Sequence, residues 1–307
     1  MPGSDHDAAR RLAERIGPIG VWTFHLDRAT ASDAREFVRA IEDLGFRALW
    51  IPESVVSKEI FSHAALLLAA GERIVVASGI ANIWARDPVA MASGARTLAE
   101  AYPGRFVLGL GVSHEPAVRR RGGRYARPLA HMREYLDAMD AARSVAPNPA
   151  EPAARMLAAL GPRMLELAAE RTLGAHPYFV PVEHTPLARR ALGPGPLLAV
   201  EQAAVLETDP TVARKVAREH MAGYLHLENY ANNLRRLGWT DGDIAEGGSD
   251  ALVDAIVAWG GLDSVRSRVD AHRAAGADHV CVQMLETPTR SVLSQVRELA
   301  TLLPRRT

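Results

Sequence analysis

Cysteine is almost missing from this 307-residue chain, since Cys281 is the only one. A single thiol cannot form an internal disulfide, and it cannot supply a cluster of thiolate ligands to a metal. Cys281 lies in a short apolar run, which is typical of a small residue buried in a strand. The sequence therefore predicts neither a disulfide framework nor a thiolate metal centre.

Net charge is also absent, because 36 Lys and Arg residues balance 36 Asp and Glu residues. A neutral protein has no long-range field to attract a polyanion, so nucleic acid is not an expected partner. The sequence lacks an H-E-x-x-H pair, a G-x-S-x-G elbow and a Walker loop, and its 11 histidines are scattered. No metal site is expected.

Long apolar runs are missing as well, and the longest covers only residues 64–70. A helix that crosses a bilayer needs about 20 apolar residues, so no membrane segment is predicted. The first 15 residues are rich in charge and lack the apolar stretch of a signal peptide. We therefore expect a cytoplasmic protein.

Short apolar runs alternate with amphipathic helical patterns along most of the chain, and 48% of its residues are apolar. Such alternation predicts parallel strands joined by helices. Eight strands are the number needed for a (β/α)8 TIM barrel, and a doubly wound sheet is the main rival. The predicted strands cover residues 16–24, 48–51, 74–80, 105–112, 156–160, 176–180, 197–206 and 279–285.

The helices between these strands carry recognisable end signals. Ser32 is a candidate N-cap for a helix that Gly45 closes, and Asp87-Pro88 supplies an N-cap and an N1 proline to the next clear helix. We expect one domain over residues 1–307, with an N-terminal extension at 1–14. A helical insertion at 208–262, with helices near 210–237 and 249–259, separates strands seven and eight.

Several segments, in order, resemble the luciferase-like monooxygenases, and within them the coenzyme F420-dependent oxidoreductases. They are IGPIGVWTF (16–24), DLGFRALWIPES (43–54), VASGIANIWARDPVAMA (76–92), YPGRFVLGLGVSHEP (102–116), AALGPRMLELAAERTLGAHPYFV (158–180) and LLAVEQAAVLETDP (197–210). The resemblance implies a luciferase-like TIM barrel that holds a flavin-like cofactor at its carboxyl-terminal mouth. It also implies a small-molecule substrate and a homodimer.

The resemblance assigns cofactor contacts to three strand ends. At the end of the third strand, the resemblance implies a non-prolyl cis peptide bond at Gly79-Ile80, and it places Ala81 and Asn82 among the cofactor contacts. The fifth runs through Leu160, Gly161, Pro162 and Arg163 into a helix, where free amide groups make an anion site for the cofactor phosphate. The fourth contributes Gly109, Gly111, Val112 and Ser113, whose glycines remove side chains from one strand face.

Candidate catalytic residues also follow strands, where side chains reach the barrel mouth. The resemblance places Glu53 beside the cofactor ring, but the chain has Ser54 where similar deazaflavin enzymes often carry a histidine, and Val112 where one subgroup carries a glutamate. His114 and His176 are candidate general acids, since histidine titrates near neutral pH. Trp22 and Tyr178 are candidates for an aromatic wall beside the ring.

These features predict an F420-dependent oxidoreductase that passes a hydride between C5 of the deazaflavin and a small organic substrate. One alternative is an FMN-dependent luciferase-like monooxygenase, because the same anion turn would hold the FMN phosphate. A second alternative is a flavin-binding protein without catalytic activity. The sequence leaves the identity of the substrate open, because substrate loops carry the least resemblance.

Overall fold

A computed structural model describes residues 2–304 of the chain, and these residues form ten strands and fifteen α-helices. The strands are β1 (Ile19–Trp22), β2 (Ala48–Ile51), β3 (Val75–Ser78), β4 (Ala81–Asn82), β5 (Phe106–Gly111), β6 (Ala154–Leu157), β7 (Gly174–Ala175), β8 (Leu197–Val205), β9 (Val257–Trp259) and β10 (His279–Met284).

The helices surround the strands. They are α1 (Pro2–Ile16), α2 (His25–Arg28), α3 (Ala31–Asp43), α4 (Ile60–Leu68), α5 (Pro88–Ala101), α6 (Glu115–Arg120), α7 (Pro128–Ala141), α8 (Pro162–Arg171), α9 (His184–Leu192), α10 (Pro210–Met221), α11 (Glu228–Arg236), α12 (Asp241–Ile244), α13 (Asp250–Ile256), α14 (Leu262–Ala274) and α15 (Val292–Leu299). None of the described helices is both long and apolar enough to cross a membrane.

Eight parallel strands close into a barrel in the order β1-β2-β3-β5-β6-β7-β8-β10, and β10 returns to pair with β1. All pairings are parallel, so the carboxyl ends of the strands meet at one mouth. The TIM-barrel prediction is confirmed. The two remaining strands are short additions at this mouth: β4 continues beside β5, and β9 pairs with the end of β8.

The barrel forms where the sequence places apolar residues on both strand faces, and every residue of β1, β2 and β3 is buried. The predicted start of α5 is confirmed, because the Asp87 side chain accepts hydrogen bonds from the amides of Val89 and Ala90. Gly45 follows α3 with a φ of +100°, as its predicted closing role requires.

Three predictions about element boundaries are wrong. The N-cap of α3 is Thr30 rather than Ser32, because the Thr30 hydroxyl reaches the Asp33 amide at 3.2 Å. The sixth barrel strand is Gly174–Ala175, not 176–180, and the chain turns into the mouth at His176. The other barrel strands begin and end within three residues of the predicted positions.

The third error lies in the segment between the last two barrel strands. The predicted helix over 249–259 ends at Ile256, and Val257–Trp259 pairs with Ala203–Val205 as strand β9. Val and Trp are strand formers, and here tertiary pairing overrides the helical pattern. The described part of the predicted N-terminal extension is helical, and α1 packs Ala9, Leu12 and Ile16 into a cluster with barrel residues such as Trp50 and Cys281.

Candidate functional site

A cavity of about 1050 Å³ opens at the carboxyl ends of the barrel strands. Its wall combines strand ends, the loop after β5 and the helical segment that follows β8. Fourteen of the predicted site residues line it: Trp22, Glu53, Gly79, Ile80, Gly111, Val112, Ser113, His114, Leu160, Gly161, Pro162, Arg163, His176 and Tyr178.

Three predicted contact residues lie outside the cavity. Ala81 and Asn82 form β4 and are buried against β5, so they support the wall from behind. Gly109 packs against the neighbouring strand, because a Cβ atom built on it would approach the Ser78 carbonyl oxygen to 2.1 Å. The missing side chain at Gly109 therefore makes room for a strand rather than for a ligand.

The Gly79-Ile80 peptide bond is cis, as the sequence prediction requires, and both residues line the cavity. The indole of Trp22 and the imidazole of His176 approach Gly79 from the barrel interior. A Cβ atom on Gly79 would lie 2.5 Å from Trp22 Nε1 and 3.2 Å from His176 Nε2. Both of these nitrogens are buried without a hydrogen-bond partner among the described residues.

Glu53 is held by Arg86 in a two-pronged ion pair, in which Arg86 Nη1 lies 2.9 Å from Glu53 Oε2. The amide of Asn82 donates to the same oxygen at 2.8 Å. The exposed fractions of the two charged side chains are only 4% and 13%, so water competes weakly for them. Glu53 therefore anchors β4 and the wall, and its expected place beside the cofactor ring stays a prediction.

The turn from β6 into α8 has the features of an anion site. Gly161 is the N-cap of α8 without a side-chain cap, and Pro162 occupies the first helical position. The Arg236 guanidinium lies beside Gly161, since a Cβ atom there would be 3.7 Å from Arg236 Nη2. His184 Nε2 holds the turn by a 2.8 Å hydrogen bond with the Leu160 carbonyl oxygen.

His114 has its Nδ1 atom 2.9 Å from Asn229 Oδ1. An amide oxygen can only accept, so Nδ1 carries the proton and Nε2 carries a lone pair. Burial lowers the pKa of His114, with the hydrogen bond to Asn229 opposing the shift. This lowered pKa favours the uncharged ring, and the predicted catalytic role of His114 stays a prediction.

His176 is buried deeper, with an exposed fraction of 1%. Its Nδ1 atom lies 2.9 Å from the Ala199 carbonyl oxygen, and its ring stacks on Trp50 at 4.3 Å between centroids. Burial lowers the pKa of His176 to about 4. The ring is neutral at pH 7 and supports the cavity floor, so it is unsuited to the predicted role of general acid.

An aromatic cluster forms one wall of the cavity and combines Tyr178, Phe179, Tyr224 and Tyr230. The hydroxyl groups of Tyr178 and Tyr224 are 2.8 Å apart, and Tyr178 donates to Gln283 Oε1 at 3.0 Å. Because Tyr178 uses its only hydrogen on Gln283, Tyr224 donates to Tyr178. Burial raises the pKa of both phenols, so they are neutral wall residues.

Several site residues were missed by sequence reasoning because they act on partners distant in the chain. They are Arg86, His184, Tyr224, Asn229, Tyr230 and Arg236. The last four lie in α11 or just before it, where the sequence indicated only a helical segment. Within residues 2–304, no group of His, Cys, Asp and Glu side chains is arranged to hold a metal ion.

Residues 13–279 match the model of a protein family described as luciferase-like monooxygenase. A "putative coenzyme F420-dependent oxidoreductase" of Mycobacterium tuberculosis is 28% identical over 87% of this chain and 93% of its own length.

Two solved structures share the fold. An F420-dependent secondary alcohol dehydrogenase in complex with an F420-acetone adduct is 14% identical, with a TM-score of 0.75, over 94% of this chain and 98% of its own. The oxygenating constituent of 3,6-diketocamphane monooxygenase from Pseudomonas putida, in complex with FMN, is 18% identical, with a TM-score of 0.63, over 94% and 99%. At these identities the likeness establishes the barrel architecture alone.

Proposed function

Since the chain belongs to the luciferase-like monooxygenase family of oxidoreductases, we propose that it is an F420-dependent oxidoreductase. In this proposal it transfers a hydride between the deazaflavin C5 and a small organic substrate held at the barrel mouth. The observation that carries the proposal is one cavity that joins a wall for a planar ring to an anion site. The name of the mycobacterial relative supports the choice of cofactor.

The cavity residues fit such a cofactor. Gly79 and Ile80 offer a flat backbone surface next to two unpartnered polar nitrogens, those of Trp22 and His176. At the turn from β6 into α8, Gly161 presents backbone without a side chain, and Arg163 and Arg236 add positive charge. Amide groups at a helix start together with guanidinium groups are well suited to bind phosphate.

The charge balance of the cavity favours F420 over FMN. Three exposed arginines line it, Arg120, Arg163 and Arg236, against one exposed acidic residue, Glu219, while Glu53 is paired with Arg86. F420 carries a phosphodiester and a tail of glutamate carboxylates, while FMN carries one phosphate. An excess of arginines at the rim therefore suits the longer polyanion.

The residues around the cavity divide the work of hydride transfer. The bound deazaflavin supplies the hydride chemistry, and the protein binds, orients and shields the reactants. His114 carries a lone pair on Nε2 at neutral pH and is the residue we assign to proton exchange with the substrate. The tyrosine wall, which consists of Tyr178, Tyr224 and Tyr230, excludes water from the inner end of the cavity. The expected homodimer, cytoplasmic location and single-domain organisation form part of the same proposal.

Equilibrium titration of the purified protein with F420 and with FMN, followed by fluorescence, tests the proposal. We expect F420 to bind at least about tenfold more tightly than FMN, a difference of about 1.4 kcal/mol. Tighter binding of FMN would replace the proposal with the monooxygenase alternative. A third result is binding of F420 without turnover, so that no alcohol reduces the bound cofactor and no imine or activated alkene oxidises it. That result would support the non-catalytic alternative.

A further inference from the structure

A buried carboxyl group, Glu201 on β8, lies behind the tyrosines of the cavity wall and does not line the cavity itself. Its exposed fraction is 1%. Oε2 accepts a 3.0 Å hydrogen bond from the Phe179 amide, and Oε1 has no hydrogen-bond partner among the described residues. A carboxyl oxygen left unpaired in a barrel interior is costly, so Glu201 calls for an explanation.

Among the described residues, no positive charge compensates the buried carboxyl group of Glu201. The groups that face it are Tyr178 from the turn after β7, Tyr224 and Tyr230 from the segment after β8, and Cys281 from β10. Within residues 2–304 no Lys or Arg forms an ion pair with it, and no cation contributes to the shift of its pKa. Two further titratable rings belong to the same layer. His220 packs on Phe179, and His176 lies 3.9 Å from the Cys281 sulfur.

These surroundings favour the neutral acid, because burial raises the pKa of Glu201 to about 8, against a smaller opposing effect of the Phe179 hydrogen bond. The histidines of this layer do not offset the burial, since desolvation lowers the pKa of His176 and of His220 to about 4 and keeps both rings uncharged. Ionisation of Glu201 would therefore place an uncompensated negative charge directly behind the cavity wall.

Two hydrogen bonds tie Glu201 to the turn that carries Tyr178 into the cavity. The Glu201 amide donates to the Pro177 carbonyl oxygen at 3.0 Å, and the Phe179 amide donates to the side chain. Phe179 has a φ of +58°, a left-handed conformation that a bulky residue adopts only when its surroundings enforce it. The carboxyl group thus fixes the turn, and Tyr178 follows from it.

We propose that Glu201 is a positioning residue that must be protonated for the cavity to hold its anionic cofactor. As a neutral acid it fixes the Pro177–Phe179 turn without opposing the negative charge in the cavity. When it loses its proton, the charge repels the cofactor through the tyrosine wall. This inference rests on the proposed function for the identity of the ligand, but the proton linkage belongs to Glu201 itself.

A glutamine at this position would separate the two roles of the side chain. Its amide oxygen can still accept the Phe179 hydrogen bond, and it cannot titrate. Since the folded state holds the Glu201 proton more tightly than the unfolded state, the contribution of Glu201 to wild-type stability falls as pH rises from about 4.5 to about 8. The ligand-free Glu201→Gln protein is therefore expected to exceed the wild type in melting temperature by a margin that widens across this interval.

The decisive experiment measures F420 and FMN binding by the wild type and by Glu201→Gln between about pH 7 and about pH 9. If protonation is required, the wild-type Kd rises about tenfold for each pH unit above the point of ionisation. In Glu201→Gln this rise is absent, and any dependence that remains belongs to the cofactor. Calorimetry in two buffers should also show proton uptake when the wild type binds ligand near pH 8, but not when the variant does.

The outcomes are distinguishable. Equal pH dependence in both proteins, with tight binding throughout, overturns the role of Glu201 and leaves the proposed function intact. Binding of FMN alone, with a pH dependence that the variant removes, supports the role of Glu201 and overturns the choice of F420. Binding of neither cofactor overturns both. If Glu201→Gln does not fold, the inference is overturned as well, because it requires the neutral side chain to be sufficient for the turn.

Discussion

Two buried glutamates at the barrel mouth illustrate how surroundings decide the role of a residue. Glu53 lies against Arg86 and accepts the Asn82 amide, so its charge is compensated within the wall. Glu201 has an aromatic cage and no cation, so the acid form is favoured. The same side chain therefore serves as an ionic anchor in one place and as a neutral hydrogen-bond acceptor in the other.

Removal of Arg86 tests the ionic anchor. Arg86→Met leaves the Glu53 carboxylate buried without its partner, and we expect a loss of about 3–5 kcal/mol in the free energy of unfolding. Arg119→Met is the matched control, because the Arg119–Glu115 pair is exposed and should be worth about 0.5 kcal/mol or less. Urea unfolding of both variants checks the prediction, and equal losses would contradict it.

His114 is open to a kinetic test. If it exchanges a proton with the substrate, His114→Gln should lower kcat by about 10²- to 10⁴-fold and leave the cofactor Kd within about twofold. Because burial lowers its pKa, the base is available at neutral pH, and wild-type turnover in the proton-accepting direction should fall only below about pH 6.5. An unchanged acidic limb in the variant would assign that limb to another group.

The sequence located many of these residues but not their partners. Glu53 follows a strand, so its place at the mouth could be predicted, whereas Arg86 lies 33 residues further along and pairs with it only through the fold. The alternating glycines looked equivalent in the sequence. In the structure Gly111 ends β5 and lines the cavity, whereas Gly109 lies within the strand and faces Ser78, because only the end of the strand reaches the mouth.

At the scale of elements, the start of α8 and the end of α11 meet at the anion site. The first contributes Gly161 and Arg163, and the second contributes Arg236. The strand-Gly-Pro-helix pattern made the α8 part predictable from sequence. Arg236 was not predictable, because its position depends on how the segment after β8 folds back over the mouth.

Two glycine substitutions distinguish ligand contact from strand packing. Gly161→Ala adds a Cβ atom at an ordinary 3.7 Å from Arg236, so stability should change by about 1 kcal/mol or less while F420 binding weakens. Gly109→Ala forces a Cβ atom towards the Ser78 oxygen at 2.1 Å and should cost about 1–3 kcal/mol or more. Thermal unfolding and cofactor titration of both variants check the contrast, which fails if Gly161→Ala binds F420 as the wild type does.

At the scale of the whole molecule, the eight barrel strands could be predicted from the sequence because each is a short apolar run between amphipathic helices. Strand β9 could not be predicted, since its three residues follow directly on helix α13 and are too few to show a strand pattern of their own. The strands, loops and surrounding helices also carry several histidines whose neighbours no local pattern could reveal. They are His63, His176, His220, His272 and His279.

These five histidines predict the acid sensitivity of the fold. Burial lowers each pKa, to about 4 for four of them and about 3 for His272, so the unfolded chain takes up more protons below about pH 6.5. Stability is therefore present above about pH 6.5 and is lost as pH falls towards about 4. Urea unfolding across this range should show uptake of more than one proton.

His63→Phe provides the matched variant, because both His63 ring nitrogens lack hydrogen-bond partners among the described residues. We expect the acid slope to decrease, with a change at about pH 7 below about 1.5 kcal/mol. His25→Gln, at an exposed position, should leave the slope as it is. If the pH dependence of the wild-type unfolding free energy corresponds to uptake of less than one proton, the five rings are not all neutral in the folded state.

Strand β9 has a practical consequence for protein engineering. It pairs with Ala203–Val205 and so attaches the segment that carries Tyr224, Tyr230 and Arg236 to the end of strand β8. A chimera that exchanges this segment for that of a relative must therefore keep the pairing of β9 with Ala203–Val205 or replace both of the paired stretches. Junctions placed after Leu206 and before Val257 would keep both sides of the pairing in the host, transplant the helices that line the cavity, and leave the barrel closure between β8 and β10 untouched.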